Sequence, residues 1–309
     1  MSVFAAREKQ NAVNRKPESM KTVVNLWRLM RPHQWLKNGF VFTGLIFGHA
    51  WHDEYLVYRV IVAAIAFSLI SSAIYVVNDM ADCERDRLHP LKRLRPLAAQ
   101  QIRMTTAGLF ALVLALCAVS LASSVSYAVL AIVMAYALMN LAYSVYLKHI
   151  VILDVFIIAA GFMLRILAGT LGVGIPPSQW LLLCGLMVTL FLGFAKRRAE
   201  MIELTADKTA HRKVLAYYSP VLLDKMIGIT ATGVIMSYSL YTMSPDTIRV
   251  HGTTNLIYTV PFVMYGVFRY IYLLHRQGGG GDPSRDVVRD PHLLVAVALW
   301  ACVTFWLIH

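Results

Sequence analysis

The sequence predicts an all-α protein threaded repeatedly through a bilayer, and three observations carry that fold class. Of 309 residues, 58% are hydrophobic and only 15% charged, with a mean hydropathy of +0.59; soluble domains carry about a quarter charged residues. The apolar residues gather into nine segments of spanning or near-spanning length. When those segments are threaded alternately, 26 of the 29 Lys and Arg fall on one side. A soluble dehydrogenase, a secreted disulfide scaffold and a disordered tail protein are excluded before any motif is read.

The elements follow in order. Residues 1–20 are polar, lack the apolar core of a signal peptide and read as a disordered cytoplasmic tail. Residues 21–31 set Val23, Val24, Leu26, Trp27, Leu29 and Met30 among basic residues, the pattern of a helix lying in the interface. The expected spans are 36–50, 57–77, 104–122, 125–147, 150–173, 179–195, 220–243, 256–274 and 292–308, with Gly278–Gly281 a flexible connector before the last. Residues 21–309 thus read as a single transmembrane domain. Only Arg59 and Arg249 fall on the less basic side, and Arg165 lies inside a span. Positive charge stays in the cytoplasm, so the amino terminus is expected inside and the carboxy terminus outside, in a cell inner membrane.

The balance of charge points to partners. A net charge of +12 on so apolar a chain suits lipid headgroups and phosphates. Nucleic acid is not expected, because the basic residues are scattered between spans instead of forming a docking face. Cys83, Cys117, Cys184 and Cys302 are far apart and mostly within apolar runs, so they read as packing residues.

The most informative stretch ends the second span: Asn78, Asp79, Met80, Ala81, Asp82, Cys83, Glu84, Arg85, Asp86. On a continuing helix Asn78, Asp82 and Asp86 recur every fourth residue and share a face, with Asp79 beside them. Three carboxylates and an amide so placed repel one another unless a cation joins them. Hard oxygen donors suit Mg²⁺, which takes one or two carboxylates and fills its shell with water and substrate phosphate. A solvated acidic helix end is the plainer alternative, but this run continues directly from apolar Ile74–Val77, where charges are costly and mostly functional.

The spacing N-D-x-x-D-x-x-x-D at the end of a second span resembles the first aspartate-rich motif of the UbiA-type intramembrane prenyltransferase superfamily. The resemblance implies nine transmembrane helices around a central cavity opening to the cytoplasmic side. It also implies Mg²⁺ on Asn78, Asp79, Asp82 and Asp86, with the substrate diphosphate on the metal and Asp79 and Asp82 as the catalytic carboxylates. Members that prenylate aromatic rings carry a second aspartate-rich motif after the sixth span. Here the corresponding run is Lys196, Arg197, Arg198, Ala199, Glu200, Met201, Ile202, Glu203, and its three leading cations suggest direct phosphate recognition. A positive-inside anchor at a helix end is the alternative for such a cluster.

Three further stretches, Arg31–Asn38, His89–Ala98 and Tyr143–Lys148, resemble the decaprenyl-phosphate phosphoribosyltransferase branch of that superfamily, from about Arg31 through Leu204. The branch implies transfer of 5-phosphoribose from phosphoribosyl pyrophosphate to a polyprenyl monophosphate, releasing pyrophosphate, for cell-envelope polysaccharide precursors. Lys37, Asn38, Arg85, Lys92, Arg95, Tyr143, Lys148, Arg165, Lys196, Arg197, Arg198 and Glu200 are then the candidates for binding substrate phosphate. Lys148 reads equally well as an interfacial side chain that snorkels. Arg165 must find an anion inside the span; Asp154 is eleven residues away, about 16 Å along a helix, which favours substrate phosphate. The alternatives in function are an aromatic prenyltransferase, which needs the missing second motif, and a transporter, whose intramembrane charges sit near the midplane and not at a rim.

Overall fold

The structure, a computed structural model, describes residues 18–90, 92–206, 215, 217–276, 286 and 289–308. Of the expected tail, residues 1–17 lie outside the described residues, as does the Gly278–Gly281 connector, while Glu18 already begins a helix. The helices are α1 (Glu18–Met30), α2 (Thr43–Phe47), α3 (Glu54–Ala81), α4 (Cys83–Leu88), α5 (Met104–Val125), α6 (Tyr127–Val145), α7 (Leu153–Ala168), α8 (Gln179–Ala206), α9 (Pro220–Met243), α10 (Pro245–His251), α11 (Val260–Arg276) and α12 (Pro291–Ile308). The described residues contain no β-strand.

Seven of these helical stretches are long and apolar enough to cross a membrane: α3, α5, α6, Gln179–Ile202 of α8, α9, Asn255–Arg276 and α12. The other two expected spans depart from that form. Residues 36–50 fold as a 3₁₀ run, Pro32–Phe42, followed by the single short helix α2. Pro32 has no N–H to continue α1, and Arg31 before it takes φ +53°, so the chain turns there. Residues 150–173 condense to the 16-residue α7, which starts after Ile152 at φ +69°.

By packing, the chain divides into two compact units. The first comprises the described part of Met1–Asn38 together with Ile65–Leu121. Its core gathers Leu29 of α1, Val76 of α3, Cys83 of α4, Leu97, Ile102, and Ala107 and Ala111 of α5. The segment after α1 is pinned to α3 through hydroxyls one turn apart: Trp35 Nε1–H donates to Ser72 Oγ at 3.0 Å and Asn38 Nδ2–H to Ser68 Oγ at 2.9 Å. Small residues on α3 let these partners approach, as is usual between helices in lipid.

The second unit comprises Gly39–Ala64 and Ala122–His309. In it α8 packs along α9 and α7, α6 along α7, and α11 along α12. Its core includes Val155, Phe191, Phe194, Leu223, Ile227, Tyr270 and Leu274. Ser126 caps α6 by accepting from Val129 N–H at 3.0 Å, and Ser219 caps α9 by accepting from Leu222 N–H at 3.1 Å with Pro220 following. Both are the local signals that start helices. Gly169, just past α7, lies so near the backbone of Val41 that a methyl group there would overlap the Val41 carbonyl oxygen. Arg59 spends its guanidinium on the carbonyls of Val125 and Val173, each at 2.8 Å, which explains a cation on the poorly charged side of the threading.

Candidate active site

In the first unit the acidic motif sits at the end of α3, which with α8 is one of the two longest helices among the described residues. At 1.5 Å per residue the 28 residues of α3 reach about 42 Å, beyond the roughly 30 Å of a hydrocarbon core, so the last turn carries Asn78 and Asp79 to the rim. The helix does not simply continue. It breaks at Asp82 and resumes as α4, while Asp82 N–H to Asn78 O and Asp86 N–H to Asp82 O, both 2.9 Å, carry the turn across the break.

That geometry sets which of the motif's side chains are buried. The buried stripe is Asp79, Cys83 and Asp86, with Asp79 and Asp86 each 4% exposed. Cys83 packs into the core, and this sets the rotation of the helix. Asp82, expected to be catalytic, lies to the side with a side chain 41% exposed and Arg85, itself 84% exposed, at 4.0 Å. Asn78 is half-buried beside the stripe.

The two buried carboxylates converge on one cation of the chain. Arg95 Nη1 donates to Asp79 Oδ1 at 3.0 Å and to Asp86 Oδ2 at 2.6 Å, and Arg31 Nη2 donates to the same Asp79 Oδ1 at 2.5 Å. Arg31 also lies 5.2 Å from the Tyr75 ring centroid, a cation–π distance. Among the described residues no three His, Cys, Asp or Glu side chains converge as a cage. Mg²⁺ does not need one: two carboxylates drawn to a single positive centre, with water and phosphate completing the shell, fit its donor chemistry. Asn78, Asp79, Asp82 and Asp86 are all hard oxygen donors of the kind Mg²⁺ takes, with Asp79 and Asp86 buried and Asp82 toward the edge. Of the remaining candidates in this unit, Lys37, Arg85 and Lys92 are exposed and Asn38 is buried on Ser68.

The second unit holds the other candidates, and most of its charge is spent internally. Arg197, 2% exposed, donates from Nε to Asp154 Oδ2 at 2.7 Å and from Nη1 to Glu200 Oε2 at 2.6 Å, with Tyr143 Oη at 3.5 Å from Nη2. Tyr218 Oη donates to Asp154 Oδ1 at 2.7 Å and accepts from Ile152 N–H at 2.7 Å. Burial first, and then its hydrogen bond to the Asp154 carboxylate, push the Tyr218 phenol above its ordinary range. Arg198 donates from Nε to Asp224 at 2.5 Å and from Nη1 to Leu274 O at 2.9 Å. Of the Lys196–Arg198 triplet, only Lys196 stands exposed.

Arg165 is buried, as its place in the span demands. It donates to Gly161 O at 2.7 Å and Tyr136 Oη at 2.9 Å, and it stacks on the rings of Tyr136 and Phe162 at 4.7 and 5.4 Å. Asp154 pairs elsewhere, with Arg197. Lys148 is half-buried in the 3₁₀ turn Leu147–His149.

Sequence reasoning missed Arg31 as a site residue, although a cation before a proline at a helix end marks a fixed turn. It also missed Tyr218 and Asp224 as charge partners, for which the sequence offers no spacing signal.

The sequence profile of the UbiA prenyltransferase family matches residues 39–286. The chain belongs to this family. With its apolar helices, this UbiA-family chain is an integral membrane protein. It is 33% identical over 290 residues to the decaprenyl-phosphate phosphoribosyltransferase of Mycolicibacterium smegmatis, covering 90% of each chain. It is 32% identical over 298 residues to the Corynebacterium glutamicum protein of the same name, covering 93% of this chain and 88% of that one. Among solved structures, a UbiA homolog from Archaeoglobus fulgidus bound to GPP and Mg²⁺ superposes with a TM-score of 0.68 at 15% identity over 92% of this chain and 99% of that one. At that identity the likeness shows a shared fold.

Proposed function

We propose that this UbiA-family chain transfers 5-phosphoribose from phosphoribosyl pyrophosphate to a polyprenyl monophosphate, releasing pyrophosphate. The observation that carries the reading is the similarity, at 32% and 33% identity over about nine-tenths of each chain, to proteins named decaprenyl-phosphate phosphoribosyltransferase. The Lys196-Arg197-Arg198-x-Glu200 run, where ring-prenylating members carry aspartates, supports it from the residues.

The acceptor is a phosphate monoester with close to two negative charges at neutral pH, so no strong general base has to activate it. Asn78, Asp79, Asp82 and Asp86 are the residues that would hold a Mg²⁺, which when bound would supply counter-charge to the departing pyrophosphate. Arg31 and Arg95 bring further positive charge to Asp79 and Asp86. Lys196 is the exposed cation for the ribose 5-phosphate; Arg197, tied to Asp154 and Glu200, fixes the end of α8 behind it. Attack opposite the pyrophosphate inverts the anomeric centre in a single displacement. The site faces the cytoplasm of an inner membrane, with the amino terminus inside.

The test is pyrophosphate release by purified protein given phosphoribosyl pyrophosphate, with and without a polyprenyl phosphate, in Mg²⁺ and in EDTA. Release that requires both lipid phosphate and divalent metal is expected. Undiminished turnover in EDTA would remove the metal. Consumption of a prenyl diphosphate with an aromatic acid instead would reassign the chain to the ring-prenylating members.

A further inference from the structure

We propose that the groove between α11 and α12 seats one acyl chain of a bilayer phospholipid, whose anionic headgroup is held at the mouth of the groove by Arg276 and Arg289. The proposal does not depend on the reaction proposed above and concerns a different part of the chain.

In the second unit α11 and α12 pack along one another. Both belong to stretches long and apolar enough to cross a membrane, and only 28% and 22% of their apolar windows are buried. Exposure alone does not mark a site, since α5 and α6 are as open to lipid. What sets this pair apart is a groove of about 370 Å³ between its two helices. Phe262 and Tyr265 of α11 line it with Val295, Ala296 and Leu299 of α12. Pro291 and His292 stand at one end. From Pro291 to Leu299 the groove follows α12 for about 12 Å, at 1.5 Å per residue. Half of a hydrocarbon core of roughly 30 Å is about 15 Å, so the groove is one leaflet deep. That depth suits a phospholipid chain and is too short for a long isoprenoid.

The end at Pro291 is the charged one. Tyr265, Arg269, Tyr272 and Arg276 recur at steps of four, three and four residues along α11, so they share the face that borders the groove. The Arg269 and Arg276 guanidinium groups lie 5.0 and 5.9 Å from the centroid of the Tyr272 ring, both at cation–π distance. Arg269 is already neutralised: its Nε and Nη2 donate to Asp290 Oδ1 at 3.0 Å and Oδ2 at 2.7 Å. Asp290 also accepts from Leu293 N–H at 2.8 Å, which caps the start of α12. The described charged residues of the two helices and of the chain just before α12 are Arg269, Arg276, Asp286, Arg289 and Asp290, and the two that stand exposed are both arginines, Arg276 and Arg289. Asp224 of α9, 3.5 Å from His275, is bound by Arg198.

An apolar slot one leaflet deep that opens on two exposed arginines matches an anionic phospholipid, with its chain in the slot and its phosphate at the rim. Basic pockets between spanning helices recognise such headgroups, which are abundant in the cytoplasmic leaflet. In the orientation proposed above, this is the leaflet at that end. A second copy of the chain fits less well. A two-fold contact about an axis along the membrane normal would set Arg276 and Arg289 against their own counterparts.

The experiment reads lipid retained by detergent-solubilised full-length protein in native mass spectrometry, with dioleoyl phosphatidylglycerol, dioleoyl phosphatidylcholine or a polyprenyl phosphate added. The wild type should retain one phosphatidylglycerol in preference to phosphatidylcholine. Arg276→Gln and Arg289→Gln should each weaken that retention roughly fivefold and leave phosphatidylcholine unchanged. Val295→Trp, at an exposed position, fills the groove and should lose the retained lipid with both arginines in place. Equal retention of the two phospholipids by the wild type, or a preference untouched in all three variants, would overturn the proposal. Displacement of phosphatidylglycerol by equimolar polyprenyl phosphate would give the groove to that lipid, and a lipid-free dimer as the main species would give the face to a second copy. Either outcome overturns it as well.

A second measurement needs no variant. Phosphatidylglycerol carrying a diazirine on its acyl chain is bound to the wild type and activated by light, and the adducts are located by peptide mass spectrometry. Adducts concentrated on Phe262–Tyr265 and Val295–Leu299 are expected. Adducts spread evenly over α5, α6 and α12 would show ordinary solvation by lipid and no site.

Discussion

Arg197 and Lys196 are adjacent in the chain and opposite in circumstance. Arg197 is 2% exposed and bound to a fully buried Asp154, which Tyr218 holds from its other oxygen. Removing one partner of such a pair strands the other, at a cost of about 3–5 kcal/mol. Lys196 stands exposed at the same helix end, where a single charge-assisted contact to phosphate is worth about 1.5–3 kcal/mol, or roughly tenfold to a hundredfold in binding. Asp154→Ala should therefore lower the melting temperature of the detergent-solubilised protein sharply. Lys196→Met should leave melting unchanged and raise the KM for phosphoribosyl pyrophosphate far more than that for the lipid phosphate. A KM unmoved in Lys196→Met would take the 5-phosphate away from this helix end. Residue identity alone could not separate these neighbours. Three consecutive cations announce a phosphate site, but which of them is already spent depends on Asp154 and Asp224, 43 and 26 residues away from their partners. For the same reason the acidic motif was legible as chemistry, while which of its carboxylates are buried was not. Packing of Cys83 turned Asp79 and Asp86 inward and left Asp82 at the edge.

At the scale of elements, helix starts were well marked: Ser126 and Ser219–Pro220 sit where capping rules place them. Departures cluster where tertiary contact overrides local pattern. The apolar run at 36–50 became a 3₁₀ segment because Pro32 ends α1 and Trp35 and Asn38 are held by α3 hydroxyls. A second such place is the short α10, Pro245–His251, which ends at Gly252 with φ +66°. Its last side chain, His251, is 9% exposed, shares a hydrogen bond with Tyr241 Oη at 3.1 Å and faces the His49 ring at 6.1 Å between centroids. Burial first, and His49 second, hold its pKa below the ordinary 6.5. The folded state thus takes up the proton later than the unfolded chain. The stability this histidine contributes is complete above pH 6.5 and is lost as the pH falls from there toward the lowered folded value. Thermal unfolding between about pH 5 and pH 8 should show the wild type losing stability on acidification and His251→Gln losing less. Parallel curves for the two proteins would place the acid sensitivity elsewhere.

For the whole molecule, the open quantity is how many times the chain crosses. Nine apolar segments stand in the sequence, while seven helical stretches among the described residues have the length and composition of a span. The two in dispute are not too short to cross. Eleven residues of 3₁₀ helix at about 2.0 Å each, followed by five α-helical residues at about 1.5 Å, give a contour of about 30 Å, the thickness of a hydrocarbon core. The sixteen residues of α7 give about 24 Å, with apolar chain continuing past them. Charge separates the alternatives. With nine crossings, the basic stretches after α3 and after α8 share the side of the amino terminus, and 26 of 29 Lys and Arg collect there. If neither disputed segment crossed, the stretch at Arg85–Arg103 would move to the opposite side from the amino terminus while the one after α8 would stay. The positive-inside bias thus predicts that both cross. The check is labelling of single cysteines by an impermeant maleimide in intact cells, on a background with Cys83, Cys117, Cys184 and Cys302 replaced. Arg87→Cys, Tyr217→Cys and Thr254→Cys all stand at exposed positions. Nine crossings shield the first two and label the third; labelling at Arg87→Cys with Tyr217→Cys still protected would show that the two irregular segments do not span.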